Sequence, residues 1–299
     1  MSFGDNRDLA VLGAHGFIGG ATLVAARDLT GWTARSITRR GSGAEHTADI
    51  RDAGSLAMAL AGASAIVHAA GYIGNDPVLC ETVNVQGALN VASQARLQGA
   101  QLVYVSTASV YGRGSYELLR EEDALIQPAS TLSASRAEAE RIVLDHGGIV
   151  VRPHLVVGHG DRWVGAGIAA LTRSLGGLVD DGRARHSVIE VSQLGQLLTV
   201  LATAGTTTRN AYHAANLDPL TTRQLFEKLW PDSSPPPSVP ALEAAQIAGT
   251  SARLTHALEL LSGDHILDCR AAFTDTSIAL DEPLALPRSA VSWYHALAH

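Results

Sequence analysis

Three glycines, Gly13, Gly16 and Gly19 in VLGAHGFIGG, constrain this chain more than any other feature. They follow an apolar stretch, DLAVLGA (8–14), and open a helical pattern over 17–28. Glycine at such a junction lets the chain turn tightly, approach a pyrophosphate without a Cβ in the way, and pack helix closely on strand. The helix start then offers free N–H groups and a positive dipole end to phosphate. An ordinary strand-to-helix turn is the alternative, but a strand before and a helix after favour a dinucleotide site. Gly13, His15, Gly16, Phe17 and Ile18 are its expected contacts. The end of the next strand separates the two nicotinamide dinucleotides: a carboxylate there bonds the ribose 2′-hydroxyl of NAD, whereas arginine suits the 2′-phosphate of NADP. The sequence reads SITRRGSG, so Arg39 and Arg40 point to NADPH unless they are only solvated surface arginines.

Short β-branched runs alternate with helical patterns through the first half, which predicts βαβ units and a parallel sheet. The expected strands are 8–14, 34–38, 64–70, 101–107 and 148–153, with helices at 17–28, 53–61, 78–98 and 132–146. Right-handed crossovers place those helices on both faces of the sheet. The fold class expected is therefore α/β, a Rossmann-type doubly wound parallel sheet with a smaller, discontinuous substrate-binding domain. Residues 1–158 form the nucleotide domain, completed by 187–217, and 218–299 mainly the substrate domain. SVIEVSQLGQLLTVL reads as a strand capped into a helix at Ser192, and a further helix starts at Thr221. The Pro-rich segment 231–240 is a stiff connector. Between the two parts, 159–186 is Gly-rich with an apolar middle. Trp163, Val164, Ile168, Leu171, Leu175 and Leu178 fall near helical spacing there, as a lid over a site or as core of the smaller domain.

Composition excludes several classes. The chain of 299 residues carries 22 basic and 29 acidic side chains, a net charge of −7, so it lacks the basic footprint of a nucleic-acid binder. No apolar run of about 18 residues escapes interruption, so no spanning helix is expected. The polar start MSFGDNRDL does not resemble a signal peptide, and a cytoplasmic protein is expected. Cys80 and Cys269 lie in no ligand spacing and are expected to be reduced. Of the 22 basic residues only Lys228 is a lysine.

The motifs together resemble the extended short-chain dehydrogenase/reductases, the NAD(P)-dependent epimerase/dehydratase family. Beside GAHGFIGG stand ADIRD, with Asp49 and Ile50 near the adenine, and VHAAG, with Ala69, Ala70 and Gly71 beside the adenosine. NVQGALNV supplies a helical Asn84, and VRPHLVVGHGD carries Pro153 and His154 past the nicotinamide. In STASVYG the resemblance gives Thr107, four residues before Tyr111, the role of polarising the substrate carbonyl; a hydroxyl capping a strand end is the plainer reading. The family then expects Tyr-x-x-x-Lys about 25 residues on. Leu132 occupies the Tyr position and Arg136 the Lys position, and with one lysine no such motif exists anywhere in the chain. Arg136 retains a ribose contact and a positive charge, but it is too basic to shuttle protons. Tyr116 and Arg120 have the mutual spacing but lie outside that helix.

General acid catalysis is worth on the order of 10² to 10⁴ in rate, so a reductase without the tyrosine is slowed rather than abolished. The first expectation is an NADPH-dependent ketoreductase whose proton comes from water or from a hydroxyl of the substrate. This pattern resembles the atypical reductases that tailor aromatic polyketides, which implies an angucyclinone-like aromatic ketone as partner and a place in antibiotic biosynthesis. The second is an NADP(H)-binding sensor or scaffold without turnover. Epimerase and dehydratase chemistry rank lower, because both need the missing tyrosine. The resemblance also implies a homodimer through the helices at 78–98 and 132–146. The twelve histidines show no metal-ligand spacing, so no metal is expected; His154 is a candidate proton donor and His68 a core residue.

Overall fold

The computed structural model describes residues 7–39, 45–205 and 207–298. Seven parallel strands form the main sheet in the order Ala211–Ala214, Ile149–Pro153, Gln101–Val105, Ala65–His68, Arg7–Leu12, Trp32–Thr38, His46–Thr47. The expected strands at 8–14, 64–70 and 101–107 each end earlier, so their last residues become the loops at the sheet's carboxyl edge. Period-two alternation divides the sheet between two cores. Leu9, Val11, Val67, Val103 and Val151 face helices Phe17–Arg27 and Val191–Thr203. Ala10, Leu12, Ile66, Tyr104 and Val150 face helices Ala53–Ala59, Gln86–Gln98 and Thr131–Asp145.

The helix expected at 78–98 is not uniform. Pro77–Leu79 starts it, Cys80–Val85 follows as a π-turn, and the α-helix proper runs over Gln86–Gln98 to the left-handed cap Gly99. Such turns occur frequently at functional sites, and here it carries Asn84. The helix after the strand Val188–Glu190 is capped by Glu190, whose side chain accepts from the Ser192 N–H, and not by Ser192. Thr221 caps its helix as expected, with Gln224 closing the capping box.

A second lobe packs helices Val164–Leu175, Thr222–Leu229 and Arg288–Ala298 around a third core. Ile168, Leu171 and Leu175 are buried in it, so the apolar stripe of 159–186 is core. Trp163 alone among its large residues stands 61% exposed. The Pro-rich segment is tied down where Ser238–Val239 pairs with Leu178–Val179. A four-stranded sheet, in the order Leu220–Thr221, Arg185–His186, His265–Leu267, Tyr116–Leu119, accompanies the second lobe. No helix among the described residues is long and apolar enough to cross a membrane.

Candidate active site

A cleft of about 910 Å³ opens at the carboxyl edge of the main sheet. Gly13, His15, Gly16, Phe17, Ile18, Arg39, Asp49, Ile50, Ala69, Ala70, Gly71, Thr107, Arg136, Pro153 and His154 all line it. Arg40 lies outside the described residues.

The glycine loop has the shape a pyrophosphate needs. Gly13 has φ +82°, and a Cβ on it would lie 2.8 Å from the Ala70 backbone nitrogen; on Gly19 a Cβ would lie 2.2 Å from the Gly13 carbonyl oxygen. Both neighbours are backbone, so neither can yield. The helix Phe17–Arg27 begins at Gly16 with no side-chain cap, leaving its first N–H groups to an anion. These residues fit a nicotinamide dinucleotide. Asp49 is engaged by Arg51, whose guanidinium holds its carboxyl down at about pKa 2.

Asn84 braces the loop beyond the glycines. Its Oδ1 accepts from the Tyr72 N–H at 2.8 Å, and its Nδ2 donates to Ser135 Oγ at 2.9 Å, joining the loop after Ala65–His68 to the helix Thr131–Asp145.

Thr107 lies two residues beyond the strand Gln101–Val105 and caps the turn Ala108–Tyr111, accepting from the Ser109 N–H at 3.2 Å. It is therefore both a cap and a cleft residue. Because the oxygen accepts there, the hydroxyl proton remains free to be donated. Ser106, not singled out from the sequence, also lines the cleft, with a buried Oγ that has no partner among the described residues. Its signal was only its place beside Thr107. Tyr111 is no part of the cleft lining: its hydroxyl accepts from Arg152 at 3.0 Å and lies 2.5 Å from His213 Nε2, and Arg152 pairs with the buried Glu140.

Leu132 and Arg136 both line the cleft, one helical turn apart. Arg136 lies over Gly71, where a Cβ would come 2.7 Å from its guanidinium, and it donates to Tyr104 Oη at 3.0 Å. Tyr116 does not line the cleft. It is packed edge-on against Tyr111 and His265, burial raises its pKa, and Arg120 is paired with Asp123, so the two do not replace the missing pair.

His154 lines the cleft but is enclosed, and burial holds its pKa well below the usual histidine range, so it is neutral near pH 7 and poorly suited to give up a proton. Its ring stands among those of His186 and His265, at 5.8 and 5.0 Å between centres. Linear spacing gave no sign of this cluster. Asp161, also missed, accepts from the N–H groups of Trp163, Val164 and Gly165 and from Tyr294 Oη, and so fixes the start of the second lobe's first helix at the cleft.

Residues 9–214 match the model of the NAD dependent epimerase/dehydratase family. The chain belongs to that family. Its fold is shared with the Bordetella bronchiseptica enzyme WbmH in complex with NAD+, at 18% identity and TM-score 0.72 over 98% of this chain and 100% of that one. It is shared as well with a UDP-glucuronic acid 4-epimerase from Bacillus cereus in complex with NAD, at 15% identity and TM-score 0.70, covering 98% and 100%. The UDP-Glc/GlcNAc 4-epimerase of Campylobacter jejuni aligns at 14% identity and TM-score 0.75, covering 97% and 99%. No curated protein matches the chain. At these identities the likeness shows the α/β Rossmann-like fold alone.

Proposed function

We propose that this family member is an NADPH-dependent ketoreductase that works without the family's tyrosine and lysine, on a ketone of an aromatic polyketide. The observation that carries this reading is the cleft wall itself: Thr107 and Arg136 line it while Leu132 stands at the tyrosine position. A sugar-nucleotide epimerase needs a proton-transferring tyrosine there, and leucine has no proton to move. A bound nicotinamide would supply hydride. The chain's own part is then threefold. The glycine loop and Arg136 hold the nucleotide, Thr107 donates a hydrogen bond to the carbonyl oxygen, and apolar side chains receive a flat ring system. Ile73, Leu79 and Trp163 line the cleft although they are 53%, 37% and 61% exposed, which favours a large apolar substrate over a sugar. The proton comes from water or from a phenol of the substrate lying beside the ketone. A resemblance to the ketoreductase that acts on the angucyclinone of simocyclinone leads to the same substrate class and to a role in antibiotic biosynthesis. Arg39 in the cleft supports NADPH over NADH. We propose with this reading a cytoplasmic homodimer built on the helices Gln86–Gln98 and Thr131–Asp145, which light scattering tests.

The deciding experiment follows NADPH oxidation against polycyclic aromatic ketones and, separately, NADPH binding by titration. Turnover of a hydroxy-aryl ketone and none of its methyl ether is the expected result. Equal turnover of the ether overturns the substrate as proton source. Tight NADPH binding with no oxidation across the panel favours the other reading, a non-catalytic NADP(H) sensor, for which Leu132 is the supporting residue.

A further inference from the structure

Three histidines distant in sequence meet beside the cleft wall. His154 leaves the strand Ile149–Pro153, while His186 and His265 are register partners on adjacent strands of the four-stranded sheet. Backbone bonds set these positions: the Leu155 N–H donates to the Ser187 carbonyl at 3.2 Å, and the Ser187 N–H donates to the His265 carbonyl at 3.0 Å. One ring nitrogen from each histidine lies within 4.8 Å of the other two. The ring centres are 5.0, 5.8 and 5.8 Å apart in planes tilted by 15–26°. Three imidazoles bound to one zinc through nitrogens at ~2.0–2.1 Å have ring centres on the order of 5 to 6 Å apart.

The hydrogen bonds around the cluster leave lone pairs unused. The Thr222 hydroxyl gives its proton to the Leu261 or Ala184 carbonyl, at 3.1 and 3.3 Å. Its oxygen therefore accepts from His186 Nε2 at 2.9 Å, and His186 Nδ1 is left as a bare lone pair, buried and without a partner. His154 Nε2 is likewise buried and unpartnered. Carbonyls of Gly263, at 2.8 Å from Nδ1, and Gly114 lie by the His265 ring. A neutral ring has one N–H to offer them, so its other nitrogen keeps a lone pair. A hydroxyl or carbonyl behind a ligating ring, fixing its tautomer, is the usual support of a metal-bound histidine.

We propose that His154, His186 and His265 form a site for a divalent transition metal of the Zn²⁺ class, clamping the four-stranded sheet to the end of a nucleotide-domain strand. Nitrogen-only ligands favour zinc, copper or nickel over magnesium or calcium. The nearby Asp264 carboxylate is held by Arg185 at 2.5 Å. The proposal is independent of the reaction catalysed.

The test strips the full-length protein with a chelator, titrates it with Zn²⁺ alone, and measures bound metal after dialysis together with the melting temperature. Wild type is expected to retain one zinc per chain and to melt higher with it, and His256→Ala, at an exposed histidine, to behave alike. His186→Asn and His265→Gln are expected to lose the metal and the shift. Zinc retained by these variants as by wild type overturns the site, as does a wild type that retains none. Should the variants fail to fold, X-ray absorption at the zinc edge of loaded wild type decides: about three imidazole nitrogens at ~2.0–2.1 Å support the site, and an oxygen- or sulfur-dominated shell overturns it.

Discussion

At the scale of single residues the proposed function turns on Leu132 and Arg136, which line the cleft one helical turn apart. If the substrate supplies the proton, restoring a phenol should release the enzyme from its dependence. The double variant Leu132→Tyr/Arg136→Lys is expected to turn over the methyl ether that the proposal has wild type reject, with a gain of about 10²-fold, the lower end of general acid catalysis; steady-state NADPH oxidation on the ether reads it. Thr107→Val keeps the shape and removes the donor, so kcat should fall by roughly 10- to 100-fold, the worth of one hydrogen bond to developing charge. An unchanged kcat with a lowered melting temperature would instead make Thr107 a cap only. Arg39→Ala should weaken NADPH binding by about tenfold or more while leaving NADH nearly unchanged, as expected for a charge-assisted phosphate contact; fluorescence titration with both nucleotides measures it. Thr107, Leu132 and Arg136 were legible because a local motif carries each. Ser106 was not, since its meaning depends on a buried, unpartnered oxygen that no spacing encodes.

At the scale of elements, the packing of helix Phe17–Arg27 on helix Val191–Thr203 holds the glycine loop in place. Gly195 sits at that crossing, where a Cβ would come 2.6 Å from the Ala21 backbone carbon. Gly195→Ala should therefore force the helices apart and destabilise the protein by about 1–3 kcal/mol, as overpacked cores do. Urea denaturation measures it, and NADPH affinity should fall in parallel because the loop moves with the first helix. The succession of strands and helices around the main sheet was readable because each element carries its own period. The four-stranded sheet was not: its strands are short, such as Leu220–Thr221 and Arg185–His186, too brief for any alternation to register. The π-turn Cys80–Val85 was hidden too, since one extra residue per turn leaves the apolar pattern almost intact. The stripe from Ile168 to Leu175 left lid and core open, because amphipathic spacing shows that a face is buried but not what covers it.

Across the whole molecule, enclosed histidines make stability depend on pH in a definite direction. His68 and His186 are held at about 3 and His213 at about 4, and His154 and His265 are also lowered, all chiefly by burial. In the unfolded chain each has a pKa near ~6.5. Their folded values lie below the unfolded ones, so the unfolded state binds more protons between the two. The stability they contribute is therefore fully present above about pH 6.5 and is lost as pH falls through the window that ends at about pH 4 for His213 and about pH 3 for His68 and His186. Each such group costs up to about 1.4 kcal/mol per pH unit, so even two or three acting together outweigh most of a domain's stability of about 5–15 kcal/mol before pH 4. The carboxylates held low by arginines, Asp49 by Arg51 and Asp268 by Arg270, add their loss only at more acid values. Denaturation with urea in the presence of a chelator, at pH 7.5, 6 and 5, should show the midpoint falling at each step. A midpoint unchanged from pH 7.5 to 5 would mean that these rings are protonated in the folded protein, and the neutral cluster around His154 would go with them.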